Sequence, residues 1–332
     1  MFTCPLLSVS QLSPEASNCV TDPNRKFDEH YDIVSEIGRG RFAKVCEVRH
    51  KQTSSSFAAK IIRRWRNGKD TLDTFLQELR VLDLGKSSPH IIDFHDAYLQ
   101  WADMVIVLEH FSAAGGDLYQ LVHFESIHLP VDYVNLIIRQ LLNAITFLHN
   151  RKIVHLDVKP ENILLRRPFP DCDTMLCDFG LSKFLDDGNL IRGLVGTPDY
   201  AAPEILDYNP IRFTTDIWSV GVVTYFLLTG VSPFWGQTKK ETFANVSQLR
   251  LSFPKELFAD IPEAAISFIR RLLAKDPNDR PSASTCIQDA WLVGLPSSSP
   301  SYCEVYPGAD TELKPVISEN SRSDLDRSFG EH

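Results

Sequence analysis

The sequence predicts an α+β fold with two lobes: a small β-rich lobe with one key helix, a larger helical lobe, and a cleft where they join. Three observations lead there. Short apolar runs of strand character occupy residues 31–108. From residue 118 onward apolar positions recur at helical spacing. A chain of 332 residues is too long for one small core and suits two lobes with flexible ends.

Composition narrows the function classes. The net charge of −9 argues against a nucleic-acid binder driven by overall charge. Residues 1–9 lack a basic region and contain Pro5, so no signal peptide is read. The longest nearly apolar run, 217–231, is shorter than the ~20 residues of a membrane span and includes Ser, Thr and Gly. The seven cysteines are scattered and form no CxxC pair, as expected of reduced thiols in the cytosol or nucleus.

The elements follow in order. Residues 1–29 are polar and aperiodic and predict a disordered arm, in which Ser13-Pro14 reads as a modification site or an uneventful Ser-Pro. Strands are predicted at 31–37, 45–49, 57–62, 91–95 and 104–108. Between the first two lies Gly38-Arg39-Gly40-Arg41-Phe42-Ala43-Lys44-Val45, either a tight hairpin or a turn whose amides approach phosphate. Lys60 stands on an otherwise apolar strand after Ala58-Ala59, small residues that leave room for a flat ring. Such a lysine is a snorkelling edge residue unless a carboxylate meets it. Residues 70–84 have helical spacing, and Glu78, among the apolar positions Leu72, Phe75, Leu76, Leu79 and Leu82, is the natural partner. Arg63, Arg64, Arg66 and Lys69 form a basic loop, a solvated turn or a docking patch. Residues 109–117 break the pattern as a hinge, and helices are predicted at 118–123, 131–149, 215–228, 239–248, 264–273 and 282–290. The tail from 296 is Ser-, Pro- and acid-rich and predicts disorder, without the basic amphipathic helix of a calmodulin target.

The chemistry concentrates in residues 155–162, His-Leu-Asp-Val-Lys-Pro-Glu-Asn, between a predicted buried helix and the strand 163–165. A loop with one Asp, one Lys and one Asn suits phosphoryl transfer: the Asp accepts a proton from an attacking hydroxyl, the Lys neutralises phosphate, the Asn ligates Mg²⁺. A solvated polar loop is the bland alternative. Residues 175–180 read as a strand ending in Asp178-Phe179-Gly180, where an Asp can hold Mg²⁺. Glu204 and Arg280 are candidates for a buried ion pair, and Asp216, Trp218 and Gly221 for anchoring loops at the start of the most apolar helix.

In this order and spacing the motifs resemble the protein-kinase signature set over residues 31–292: the Gly38 turn, Lys60, Glu78, the 155–162 loop, Asp178-Phe179-Gly180, Ala202-Pro203-Glu204, Asp216 and Arg280. The resemblance divides this region into an N-lobe (31–108), a hinge (109–117) and a C-lobe (118–292). Lys159 and Gly196-Thr197-Pro198 resemble the serine/threonine branch. The Gly38 turn with Ile37, His155-Leu156-Asp157, Ala113-Ala114-Gly115-Gly116-Asp117, Leu228-Thr229-Gly230-Val231-Ser232-Pro233-Phe234 and Lys240-Glu241-Thr242-Phe243 are similar to the death-associated protein kinase family, closest to its short apoptosis-inducing branch.

That resemblance implies ATP and Mg²⁺ as cofactors. It implies an ATP site of Ile37, Gly38, Arg39, Gly40, Arg41, Phe42, Ala43, Lys44, Val45, Ala58, Lys60, Glu78, Leu108 as gatekeeper, the Glu109 and Phe111 backbone, and Leu164. It makes Asp157 the catalytic base, Lys159 the γ-phosphate contact, Thr197 a brace for the substrate loop, and Asn162 and Asp178 the metal ligands. Asp117 and Glu161 become an acidic pair preferring Arg or Lys upstream of the target Ser/Thr. The implied protein is a non-specific serine/threonine kinase, intrinsically active and autophosphorylating, in apoptotic signalling, nuclear or cytoplasmic. Its implied partners are protein substrates rather than nucleic acid or membrane. A pseudokinase-like scaffold is the alternative, and it predicts loss of a catalytic residue.

Three departures stand out. Ala43 replaces the third glycine. Leu156 replaces the Arg that grips an activation-loop phosphate, and between Gly180 and Gly196 the only hydroxyl residue is Ser182. Socket and ligand are missing together, which predicts independence from activation-loop phosphorylation, with Asp186 and Asp187 as fixed charge or a solvated turn. Ser112-Ala113-Ala114 lengthens the hinge by about a residue relative to the family.

Overall fold

The computed structural model describes residues 11–22, 24–40, 43–109, 116–125, 127–171, 173–185 and 190–293. Arg41, Phe42, Phe111, the Ser112-Ala113-Ala114 insertion, Asp186, Asp187 and the predicted tail lie outside them. The chain divides into two compact units, Met1–Ser112 and Ala113–His332.

The first unit is built on an antiparallel sheet. Its strands are β1 (Tyr31–Arg39), β2 (Ala43–His50), β3 (Ser56–Arg63), β6 (Phe94–Leu99) and β7 (Asp103–Glu109), in the order β1-β2-β3-β7-β6. Two short strands, β4 (Trp65–Arg66) and β5 (Lys69–Asp70), turn the predicted basic loop into a hairpin. Asn67 and Gly68 supply its turn with φ of 46° and 75°, the left-handed pair that a two-residue hairpin requires. Alternating side chains from β1, β2, β3, β6 and β7 join Phe27 in one apolar cluster that includes Tyr31, Cys46, Val48, Ala59, Tyr98, Val105 and Val107.

Two differences from the expected pattern have physical causes. The predicted strand 91–95 forms instead at Phe94–Leu99. Ile91 and Ile92 are buried, but as loop residues; Ile91 seats against Gly85 at a helix end. The expected disordered arm contains a helix, α1 (Pro14–Thr21), capped by Ser13. Among its described residues this helix buries Ala16 and Val20, with Leu12 just before it, and long-range polar contacts add to them. Ser13 bonds Asp83, and Arg25 grips Asp96 through two bonds of 2.8 and 3.1 Å while lying 4.7 Å over the Tyr98 ring. The second helix, α2 (Leu72–Gly85), follows the predicted periodicity and buries Leu72, Phe75, Leu76, Leu79 and Leu82.

The second unit is helical. The long α3 (Val131–Asn150) and α4 (Phe213–Thr229) contact each other. α4 is apolar on nearly every face and is buried along almost its whole length. α5 (Lys239–Ser247) lies near residues 198–206, α6 (Glu263–Leu272) packs on α4, and α7 (Ala283–Ile287) packs on α3. The predicted helix 282–290 ends at Ile287 and resumes at Ala290–Val293. The predicted helix 118–123 continues into a π-helical turn over Gln120–Phe124. Two small ladders carry the loops: β8 (Ile153–Val154) with β11 (Lys183–Phe184), and β9 (Ile163–Leu165) with β10 (Thr174–Leu176). Among the described residues no helix is long and apolar enough to cross a membrane.

Candidate active site

In the first unit, β1 and β2 place the glycine turn. Gly38 pairs with Val45 and Arg39 with Lys44, and the Gly40 amide donates to the Ala43 carbonyl at 2.9 Å. Arg39 is held by Glu36 at 2.7 Å, and Ile37 is exposed on the same strand. Ala43 opens β2 opposite Ile62 and is not among the residues with positive φ, so its methyl group meets no backbone penalty. The third-glycine departure is therefore compatible with the turn.

β3 carries Ala58 and Lys60, opposite Leu108 and Ile106 of β7. Ala58 and Leu108 are both buried. The carboxylate that the lysine needs is Glu78 of α2: Lys60 Nζ stands 2.6 Å from its Oε1, and Glu78 is 4% exposed. A pair this buried has little water to compete with it, so each charge fixes the other. The Glu109 amide donates to Asp93 at 3.0 Å, which narrows its share of any adenine contact to its carbonyl.

In the second unit, the 155–162 loop hangs from one buried carboxylate. Asp216 accepts the His155 amide at 2.9 Å, the Leu156 amide at 2.9 Å and His149 Nε2 at 2.8 Å. Leu156 takes a φ of 69°, a left-handed conformation costing a β-carbon residue about 1–2 kcal/mol, which the two Asp216 bonds in this turn offset. Beyond it the charged groups converge. Thr197 Oγ1 donates to Asp157 Oδ1 at 2.9 Å, Lys159 Nζ lies 2.9 Å from Asp157 Oδ2, and Lys159 Nζ donates to Thr197 Oγ1 at 2.8 Å. Asn162 Nδ2 donates to the Asp157 carbonyl at 2.8 Å and to its Oδ2 at 3.1 Å. Burial, the largest single influence, works to lower the Lys159 pKa, but the Asp157 charge and hydrogen bond together with the Glu161 and Asp178 charges outweigh it and hold the ammonium above its ordinary value.

His155 orients this cluster, a role the sequence reading did not single out. It is fully buried, accepts the Asp157 amide at Nδ1 (3.2 Å) and meets the Cys177 carbonyl through Nε2 (3.2 Å). Those two bonds define a neutral imidazole with its proton on Nε2. The available signal was its place two residues before Asp157. Gly196 is the second such residue: it has a φ of 90° and presses against the Leu156 carbonyl.

Asp178 ends the segment after β10 with a φ of 58°, and its Oδ1 accepts the Gly180 amide at 3.3 Å. Asn162, with Nδ2 turned to Asp157, keeps a carboxamide oxygen for another ligand. One carboxylate and one amide oxygen fit a hard divalent cation that takes its remaining ligands from phosphate and water. Leu164 pairs across an isolated bridge with Asp117, whose Oδ1 accepts the Gln120 amide at 2.9 Å. Burial raises the Asp117 pKa. Burial first, then the neighbouring Asp117 and Asp157 charges, push Glu161 up to about 7, and its Oε2 is buried without a hydrogen-bond partner. Glu204 and Arg280 form the predicted ion pair through two 2.8 Å bonds, at 3% and 0% exposure, which is structural rather than chemical.

The protein kinase domain family matches residues 31–292. Serine/threonine-protein kinase 17A of Oryctolagus cuniculus is 43% identical over 78% of this chain and 65% of its own length. The death-associated protein kinase related protein of Drosophila melanogaster is 42% identical over 80% of this chain, which spans only 39% of that relative. Among solved structures, the twitchin kinase region from C. elegans superposes with a TM-score of 0.73 at 30% identity, covering 87% of this chain and 52% of that one. The chain belongs to the protein kinase family, and death-associated serine/threonine kinases are among its relatives.

Proposed function

We propose that the chain is a serine/threonine kinase that transfers the γ-phosphoryl group of ATP to Ser or Thr of proteins with basic residues upstream. The observation that carries this reading is the closed contact of Asp157, Lys159 and Thr197. Asp157 accepts the proton of the attacking hydroxyl. Thr197 holds one of its oxygens, and Lys159 and Asn162 hold the other, so the carboxylate is oriented before a substrate arrives. Lys159 neutralises charge on the group in transfer, and Lys60, fixed by Glu78, takes the α- and β-phosphates. Asn162 and Asp178 would hold Mg²⁺, which supplies charge neutralisation at the phosphates. No group required by this chemistry has been lost, which separates the reading from a scaffold.

Asp117 and Glu161 support the basic preference. A guanidinium would pair the unpartnered Glu161 Oε2 and draw the carboxyl into its ionised form. Leu156 is buried beside Val195, Ala201 and Ile205 where the family places a phosphate-gripping Arg, and Ser182 is fully buried with its hydroxyl donating to the His155 carbonyl at 3.3 Å. Both favour activity without activation-loop phosphorylation. The name of the death-associated relative supports a place in apoptotic signalling, and autophosphorylation and a nuclear or cytoplasmic location extend the reading by family resemblance.

The test is Mg²⁺-ATP phosphorylation of two peptides with Arg or Ala at the third position before the Ser. It uses bacterially expressed protein that has met no upstream kinase. Arg-dependent transfer by the wild type, abolished in Asp157→Ala, is the expected result. No transfer while ATP still binds would overturn it in favour of a scaffold.

A further inference from the structure

We infer that Ser13 is a phosphorylation site for a proline-directed protein kinase, and that its phosphate releases α1 from the helix that carries Glu78. The sequence supplies the Ser13-Pro14 motif, and the structure supplies its consequence. Ser13 Oγ donates to Asp83 Oδ1 at 2.8 Å, and its backbone amide donates to Asp83 Oδ2 at 2.8 Å. The same hydroxyl accepts the Ala16 amide at 3.2 Å and so caps α1. One side chain therefore closes the helix and fastens it to α2.

The site is reachable because α1 cannot stand alone. Eight residues lie below the ~12–15 at which an isolated helix becomes marginal, so docking rather than propensity holds it. Ser13 already has an extended backbone, with φ −59° and ψ 157°, and Pro14 is exposed. Local opening presents the motif without unfolding the sheet.

In the modification itself, Ser13 Oγ attacks the γ-phosphorus of ATP held by the second kinase. The bond to the ADP oxygen breaks, ADP leaves, and the hydroxyl proton passes to that kinase's base. The product has lost the Oγ–H donor to Asp83. It carries about −1.5 to −2 of charge beside a carboxylate whose side chain is 8% exposed. Lys86 already stands with Nζ 3.7 Å from Asp83 Oδ1. The phosphate and the Asp83 carboxylate carry like charge and repel each other. The N-terminus of α1 attracts the phosphate, typically by about two- to fivefold. The lost bond to an ionised partner is worth about tenfold or more. Asp83 lies on α2, five residues beyond Glu78, so this latch bears on the helix that fixes Lys60.

The experiment uses the full chain with Asp157→Asn, which silences self-phosphorylation, treated with ATP and a proline-directed kinase. Peptide mass mapping locates the phosphate, and amide hydrogen exchange follows residues 14–21. The expected result is a phosphate at Ser13, absent in Ser13→Ala and mapped apart from any at the other Ser-Pro motifs such as Ser299-Pro300, with exchange over 14–21 faster by about severalfold or more. Asp83→Asn keeps an acceptor but drops the charge, and there the ratio of modified to unmodified exchange should shrink severalfold. No phosphate at Ser13, unchanged exchange after full modification, or the same ratio in Asp83→Asn would each overturn the inference. The readout is backbone protection, so it stands apart from whether the chain itself transfers phosphate.

Discussion

Replacing Gly196 by Ala should damage both the fold and the chemistry, and the structure separates the two causes. Gly196 has a φ of 90°, and a Cβ built there would stand 2.6 Å from the Leu156 carbonyl oxygen and 3.9 Å from Asp157 Oδ1. The conformational part costs about 1–2 kcal/mol for a residue with a β-carbon. The contact adds about 1–3 kcal/mol, because a carbonyl in a loop pinned by Asp216 cannot turn away. The total of about 2–5 kcal/mol corresponds to a fall in unfolding midpoint of roughly 4–20 °C for a unit of this size. Two other glycines make the controls. Gly230 has a φ of 75° with nothing within 4 Å, so its Ala variant meets only the conformational part. Gly193 would touch Val195 at an ordinary 3.6 Å, so its Ala variant should be near neutral. Thermal unfolding of the three variants should rank Gly196, Gly230, Gly193 from most to least damaged. A displacement of about 1 Å at Asp157 also lowers kcat by roughly 100-fold in Gly196→Ala alone. If Gly196→Ala melts with Gly193→Ala and turns over like wild type, the claim that this glycine sets the position of the 155–162 loop is wrong.

Three further outcomes are expected. Glu78→Gln keeps the shape beside Lys60 but removes the charge 2.6 Å from Nζ, and should raise the KM for ATP about tenfold or more; an unchanged KM refutes the coupling. Asp216→Asn can still accept at one oxygen, but its new amide group faces an N–H donor, so a loss of about 2–4 kcal/mol in urea unfolding is expected, and a wild-type midpoint would speak against the anchor. His155 is held below its usual 6.5 by burial, and its Nδ1 is already an acceptor. Because the folded value is depressed, its contribution to stability is present above about 6.5 and lost as pH falls, when the unfolded chain takes up the proton first. Urea unfolding at pH 7.5 and 5.5 should show that loss, and a His155→Asn protein should show a smaller one; equal pH dependence in the two proteins would refute it.

The parts of the fold that were legible in the sequence are those whose stabilisation is local or periodic. α2 and α3 announce themselves through apolar spacing because their buried faces are continuous stripes. Lys60 and Glu78 were paired from sequence because a lysine on a buried strand needs a carboxylate, and 2.6 Å separates them. Glu204 and Arg280, 76 residues apart, were nominated for the same reason and meet through two bonds. In the 155–162 loop the chemistry of Asp157, Lys159 and Asn162 is legible, but only family resemblance points to Thr197, whose contacts close the triangle by geometry.

What stayed hidden depends on contacts that leave no periodic trace. β6 lies three residues beyond the expected strand because the most apolar stretch, Ile91 and Ile92, serves the packing of a loop while the ladder uses the polar Asp96. The same aspartate explains the missed helix α1. Composition alone made the N-terminal segment disordered, and its few apolar residues could not order it by themselves. Order comes from two carboxylates of the folded unit: Asp96 takes Arg25 and Asp83 takes Ser13, 71 and 70 residues away. An element held by so few polar contacts is one that a single charge can release. The failure of the sequence reading at α1 and its candidacy as a switch therefore have one physical origin.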